Sequence, residues 1–192
     1  LDDHGFPKVK IAASNQLDER VIASLKSQDA PIDIFGVGTR LVTGDNSPAL
    51  DGVYKLSSIG NEPTLKVSEN IEKITLPGKK KIYRYLNGDG SFYGDALLLN
   101  NEEDIIRMHH PTFPAKRTTL KDRKFEVLLQ KVISKGTIEI EMPDMDEIIA
   151  YKKERFAKLH SEFKRFDNPH IYKVGISESL LNTRNQLLNA LK

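Results

Sequence analysis

The stretch PIDIFGVGTR, Pro31–Arg40, decides how the rest of the chain is read. Pro31 opens a short apolar run, the run stops at two glycines, and Thr39 or a neighbour then starts a helical turn through Leu41 and Val42. An apolar run of this length suits a buried parallel strand. Upstream, KVKIAAS, Lys8–Ser14, is a run of the same kind. It is followed by LDERVIASLKSQD, in which Leu17, Val21, Ile22 and Leu25 fall on one helical face. Two consecutive βα units predict a parallel sheet covered by helices, with the functional loops at the carboxyl ends of the strands. Those ends are the Ser14-Asn15-Gln16 and Gly36-Val37-Gly38-Thr39 segments.

Gly36 and Gly38 let the main chain turn and approach a ligand with no Cβ in the way, so that several N–H groups aim at one anion at a helix start. Thr39 adds a hydroxyl, and Ser14 and Asn15 can donate from the parallel loop. Phosphate is the matching guest. A GxGT sequence also occurs in plain strand-to-helix turns, so spacing by itself leaves both readings open.

The 192 residues suffice for one ordinary domain or two small ones. The 29 basic and 27 acidic residues give a net charge of +2, which supplies no general reason to expect a nucleic-acid partner. No apolar run approaches the roughly 20 residues that span a bilayer, and LDDHGFPK lacks the order of a signal peptide. Cysteine is absent, which removes disulfides and thiol chemistry and fits a reducing compartment, the cytoplasm by default. LDDHG reads as the end of a helix begun earlier, with Gly5 as a left-handed cap before Pro7.

After Pro48 the pattern changes. Val53, Tyr54, Leu56 and Ile59 predict a strand, Gly60 and Asn61 a turn, and Thr64 to Val67 the return strand. KKIYRYL and SFYGDALLL form a second pair around NGDG, Asn87 to Gly90. Pro143 and Asp144 start a helix whose apolar spacing runs through Ile148, Ile149, Phe156, Leu159 and Phe163 to about Phe166. Ser177 and Glu178 begin a last helix to Leu191.

These motifs, taken together and in order, resemble nicotinate phosphoribosyltransferase. KIAASNQLDE, APIDIFGVGTRLVTG, SPALDGVYKL, ITLPGKKKIYR, HHPTFPAKRTTL, GTIEIEMPDMDEI and FKRFDNPHIYKVGIS are similar to its carboxyl-terminal part over nearly the whole chain. The resemblance implies an α/β plus α+β architecture. Residues 1–50 would be the last βα units of an irregular (β/α) barrel, 51–142 a mainly antiparallel β segment, and 143–192 a C-terminal helical segment. It implies an enzyme, a glycosyltransferase of NAD biosynthesis, that joins nicotinate to phosphoribosyl pyrophosphate, giving nicotinate mononucleotide and pyrophosphate with ATP hydrolysis. ATP and Mg would be its cofactors. Ser14, Asn15, Gly36, Val37, Gly38 and Thr39 match its phosphate-binding loops and would hold the ribose 5′-phosphate. No catalytic and no metal-binding residue is expected here, because the family's active-site histidine and substrate arginines belong to earlier segments. The expected partners are therefore the remaining N-terminal part of the enzyme and, when intact, a second subunit in a homodimer. Neither nucleic acid nor membrane is expected.

Size points the same way, since two βα units cannot close an eight-stranded barrel. The chain alone is expected to be inactive, whether it is a separately expressed fragment, a proteolytic piece or a natural split subunit. Alternatives are a relative using nicotinamide or quinolinate, a non-catalytic phosphate-ligand module, and a nucleic-acid domain resting on PGKKKIYR. For PGKKKIYR the alternation of Lys81, Tyr83 and Tyr85 against Ile82 and Arg84 favours a two-faced strand. His109 and His110 read as a structural or solvated pair in a linker before Pro111, and His160 and His170 as structural. KKERFAKLHSEFKRF reads as a helix with a core-facing apolar stripe rather than a membrane-surface helix. Asp18 and Glu19 favour a helix start rather than acid/base catalysis.

Overall fold

A computed structural model describes residues 4–44, 52–69 and 73–191. The chain divides into two units, Leu1–Tyr54 and Lys55–Lys192. SPALDGVYKL, Pro48 and the start of LDDHG fall wholly or partly outside the described residues, although Gly5 does take the left-handed conformation, φ 82°.

In the first unit, β1 (Ala12–Ser14) pairs in parallel with β2 (Ile34–Gly36). Helix α1 (Glu19–Ser27) connects them, and α2 (Thr39–Thr43) follows β2. This is the predicted βαβα order, with shorter strands than the apolar runs suggested. Leu17 lies before α1 rather than on it. Asp18 is the N-cap, its carboxylate accepting from the Val21 amide at 2.8 Å, and Glu19 occupies the first turn. Leu17 is nonetheless buried, where a residue ahead of the cap can pin the entry to the helix.

The second unit begins with a minimal hairpin, β3 (Ser58–Ile59) against β4 (Glu62–Pro63), turning at Gly60 and Asn61 as predicted. The strands expected from Val53 and up to Val67 do not extend that far. Val53 and Tyr54 are largely or wholly exposed with no partner strand among the described residues, and beyond Pro63 the Thr64 amide still donates to the Ser57 carbonyl at 3.0 Å. The main sheet has the order β8-β7-β12-β6-β5-β9. Its members are β5 (Lys80–Leu86), β6 (Phe92–Leu99), β7 (Arg107–His109), β8 (Arg117–Thr119), β9 (Phe125–Val127) and β12 (Val174–Ile176). A separate small hairpin pairs β10 (Ile133–Ser134) with β11 (Thr137–Ile138). The NGDG turn joins β5 and β6 as predicted, with Asp89 accepting from both the amide and the hydroxyl of Ser91 at 2.9 and 2.7 Å. Within PGKKKIYR the strand begins at Lys80 and is two-faced as predicted, with Tyr83 and Tyr85 buried on one face and Arg84 on the other.

The sheet is mixed, because β12 runs parallel to β6 and antiparallel to β7. No strand was foreseen at 174–176, where three residues, one of them glycine, carry too little pattern. One face of the sheet buries Tyr83, Tyr85, Ala96, Leu98, Met108 and Leu120. On the other, α4 (Glu178–Asn189) packs Leu180 and Leu181 with Ile176 against Leu97 and Leu99. Ser177 caps α4 as predicted: its hydroxyl accepts from the Leu180 amide at 3.1 Å and donates to Glu102 at 2.7 Å, and Glu102 also accepts from the Leu99 amide. Ser177→Ala breaks this fully buried junction of helix and sheet. It is expected to cost about 1–2 kcal/mol in urea unfolding.

Helix α3 (Met145–Ala157) starts at Asp144 in a reciprocal capping box with Glu147. It ends at Ala157, well before Phe166, and a short 3-10 turn follows at Ser161–Phe163. Its apolar stripe is not core-facing: no residue of α3 is buried, and Ile148, Ile149 and Phe156 remain about half exposed. The linker reading of His109 also fails. His109 is the last residue of β7, 4% exposed, with Nδ1 3.2 Å from the Pro114 carbonyl, and that carbonyl can only accept.

Candidate functional site

The strand ends of the first unit meet. Ala12, Ala13 and Ser14 stand opposite Ile34, Phe35 and Gly36. A clamp at the other end sets this register: the Asp33 and Ile34 amides both donate to the Ile11 carbonyl, and the Ile11 amide donates to the Asp33 carboxylate at 2.8 Å. The ladder therefore delivers both loops to one edge. After β1, Asn15 and Gln16 take consecutive left-handed conformations, φ 79° and 52°. Such backbone is uncommon outside glycine and concentrates at functional sites. After β2, Gly38 caps α2, and its carbonyl accepts from the Leu41 and Val42 amides. A helix beginning at Thr39 leaves its first amide without an intrahelical acceptor.

Between the loops lies a depression of about 200 Å³ lined by Asn15, Gln16, Leu17, Gly36, Gly38, Thr39 and Arg40. Of the predicted residues, Asn15, Gly36, Gly38 and Thr39 come together there. Ser14 and Val37 do not line it; Ser14 instead packs beneath Gly36, where an added Cβ would lie 3.2 Å from the Ser14 Cβ. At Gly38 an added Cβ would meet no atom within 4 Å, so the space above this glycine is open. Gln16, Leu17 and Arg40 were missed, although the two polar ones adjoin the predicted loops in sequence. The lining offers amide, hydroxyl and guanidinium donors and no carboxylate, a set that fits an oxyanion and does not fit Mg. Among the described residues no three His, Asp or Glu side chains gather at metal-binding distance.

Three further histidines are engaged locally. His110 Nδ1 accepts from the Thr112 and Phe113 amides at 3.2 Å each, and His160 and His170 are exposed beside Glu162. No helix of the described residues is long and apolar enough to cross a membrane.

Comparison with known proteins gives concordant results. Residues 79–184 match the family model described as the nicotinate phosphoribosyltransferase C-terminal domain. The chain is 37% identical to nicotinate phosphoribosyltransferase of Bacillus subtilis over 206 aligned residues, covering all of this chain and 41% of that protein. It is 36% identical to the Caenorhabditis elegans enzyme, covering 91% of this chain and 32% of that one. A crystal structure of the human nicotinic acid phosphoribosyltransferase superposes with a TM-score of 0.70 at 28% identity, over 94% of this chain and 33% of that chain. The fold is thus that of a mixed α/β protein akin to phosphoribosyltransferases. Within that class, the chain belongs to the nicotinate phosphoribosyltransferase family, through its C-terminal domain. It spans well under half the length of the relatives it matches.

Proposed function

We propose that this chain is the carboxyl-terminal part of a nicotinate phosphoribosyltransferase and supplies the grip on the ribose 5′-phosphate. The observation that carries the reading is the register of Ser14 opposite Gly36, which sets the Asn15–Gln16 and Gly38–Thr39 loops around one small donor-lined depression. The family match and the parallel βα pair support it further. In this reading Asn15, Gly36, Gly38 and Thr39 bind the phosphate directly, Val37 spans the two glycines, and Ser14 sets their height. The first unit forms the closing strands of an irregular barrel.

Anchoring the phosphate fixes one end of the sugar. C1′ of phosphoribosyl pyrophosphate is then held in line between the nicotinate nitrogen and the departing pyrophosphate, and the entropy of alignment is paid on binding. The nitrogen forms the new bond to C1′ as the C1′–oxygen bond breaks, and the pair of electrons leaves with pyrophosphate. Residues stabilising that leaving charge come from the N-terminal part of the enzyme, as do those that meet ATP and Mg. A homodimer and a cytoplasmic setting belong to the same proposal.

Ribose 5-phosphate titrated into the isotope-labelled chain tests the grip by NMR. The expected result is a saturable shift of the amides of residues 14–16 and 36–39, with no nicotinate mononucleotide formed by the chain alone from nicotinate and phosphoribosyl pyrophosphate. Shifts confined to other residues, or turnover by the chain itself, would overturn the assignment.

A further inference from the structure

The second unit carries a cleft that the phosphate grip does not use. Arg84 on β5 stands directly opposite Asp95 on β6 and Glu126 on β9, so a row of charges crosses one sheet face. Further along that face the positions are apolar and are covered by α4. Arg84 donates to both oxygens of Asp95 at 2.8 and 2.7 Å, and the Tyr172 hydroxyl donates to Asp95 at 2.9 Å. From α3, Arg155 grips Glu126 with both terminal nitrogens. Both guanidinium groups also lie over the Phe92 ring, 4.4 and 4.5 Å from its centre.

A half-buried ionic row is a poor source of stability, because desolvation cancels much of the attraction. Ionisable groups perturbed in a cleft are more often found where something binds. Burial, and then the Asp95 charge, push the Tyr172 phenol up, while Arg155 holds Glu126 below the usual carboxylate range. The Nε–H of Arg155 is buried with no partner among the described residues.

The cleft has a volume of about 610 Å³, within the range of small-molecule sites. Aromatic rings dominate its walls: Phe163 meets Tyr172 edge-on at 5.4 Å, and Tyr151 and Phe156 stand at the rim, 62% and 52% exposed. The ammonium groups of Lys164 and Lys152 rest 4.9 and 5.7 Å from the centre of the Phe156 ring. Arg84 with Asp95 and Arg155 with Glu126 balance each other; Lys152 on the wall and Lys164 beside Phe156 add two positive charges against one negative, Glu162 beside His170, so a positive excess remains.

We propose that this cleft binds a flat aromatic anion of nucleotide size. Its ring stacks on Phe156, and its phosphate takes up the Lys152 and Lys164 ammonium groups that now rest there. An aromatic wall answers the ring, and the surplus cations answer the charge. The site is separate from the strand-end depression, and its existence does not depend on the role given to that depression.

Adenosine 3′-monophosphate, which carries the ring and a phosphate but no ribose 5′-phosphate, is the probe, titrated by calorimetry into the 192-residue chain and its variants. Saturable binding is expected. Phe156→Ala should weaken it by about tenfold or more, the usual scale of one lost stacking contact. Lys152→Gln combined with Lys164→Gln should do the same, and because these changes lie at the cleft rim they keep the test intact if the Phe156 variant folds poorly. Gly38→Glu, in the other unit, should leave the affinity unchanged, and ribose 5-phosphate, which lacks the ring, should not compete. No binding at millimolar nucleotide, loss of binding in Gly38→Glu, displacement by ribose 5-phosphate, or indifference to the lysine changes would each overturn the proposal.

Discussion

Placing glutamate at Gly38 in the full-length enzyme is expected to lower kcat/KM for phosphoribosyl pyrophosphate by on the order of a hundredfold or more. The new side chain projects from the cap of α2 into open space, with no atom within 4 Å of its Cβ, so the fold has little reason to change. Its carboxylate would stand among the donors of Asn15, Thr39 and Arg40, where a substrate phosphate is proposed to sit. The unfolding midpoint should stay near that of the unaltered protein, and Gly38→Ala should show a smaller loss in the same direction. Steady-state kinetics with nicotinate, set beside a thermal melt, separate the two effects. Full activity in the glutamate variant would remove the depression from the mechanism.

The largest stability effect should come from the other unit. An added Cβ at Gly175 would lie 2.7 to 2.8 Å from Cγ, Sδ and Cβ of Met108, a side chain itself 2% exposed. Met108 also passes 3.3 Å from where a Cβ at Gly94 would be, so glycines on the neighbouring strands β6 and β12 leave a trough that one methionine fills. Because the clash reaches the Met108 Cβ, swinging the thioether away does not relieve it. Gly175→Val is therefore expected to cost about 3 kcal/mol, the upper end for overpacking a core. Urea denaturation measures this, and Met108→Ala in the same background should restore part of the loss. An unshifted midpoint in Gly175→Val would contradict the packing described.

What could be read beforehand follows from how local each feature is. The parallel pair, the start of α2 at Thr39, the NGDG hairpin and the caps at Asp144 and Ser177 are set within a few residues by glycine, proline or a capping side chain, and all are found. Strand β12 could not be read, because its place is set by pairing with Asp95 to Leu97 about 80 residues earlier. The α3 stripe misled for a related reason: helical spacing identifies an apolar face but not what covers it. At the strand ends, glycine spacing pointed to Gly36 and Gly38. The left-handed turn at Asn15 and Gln16 and the inclusion of Arg40 came only with the three-dimensional arrangement.

The position of β12 bears on how the protein is made. A ribosome releases β5 to β9 well before Val174–Ile176 emerges, yet that latecomer must slot between β6 and β7. Until it does, the β6 edge that will receive it is an unsatisfied template open to neighbouring nascent chains. Completion of the sheet thus waits for Val174–Ile176, and the interval before that insertion is when the polypeptide is most exposed to aggregation.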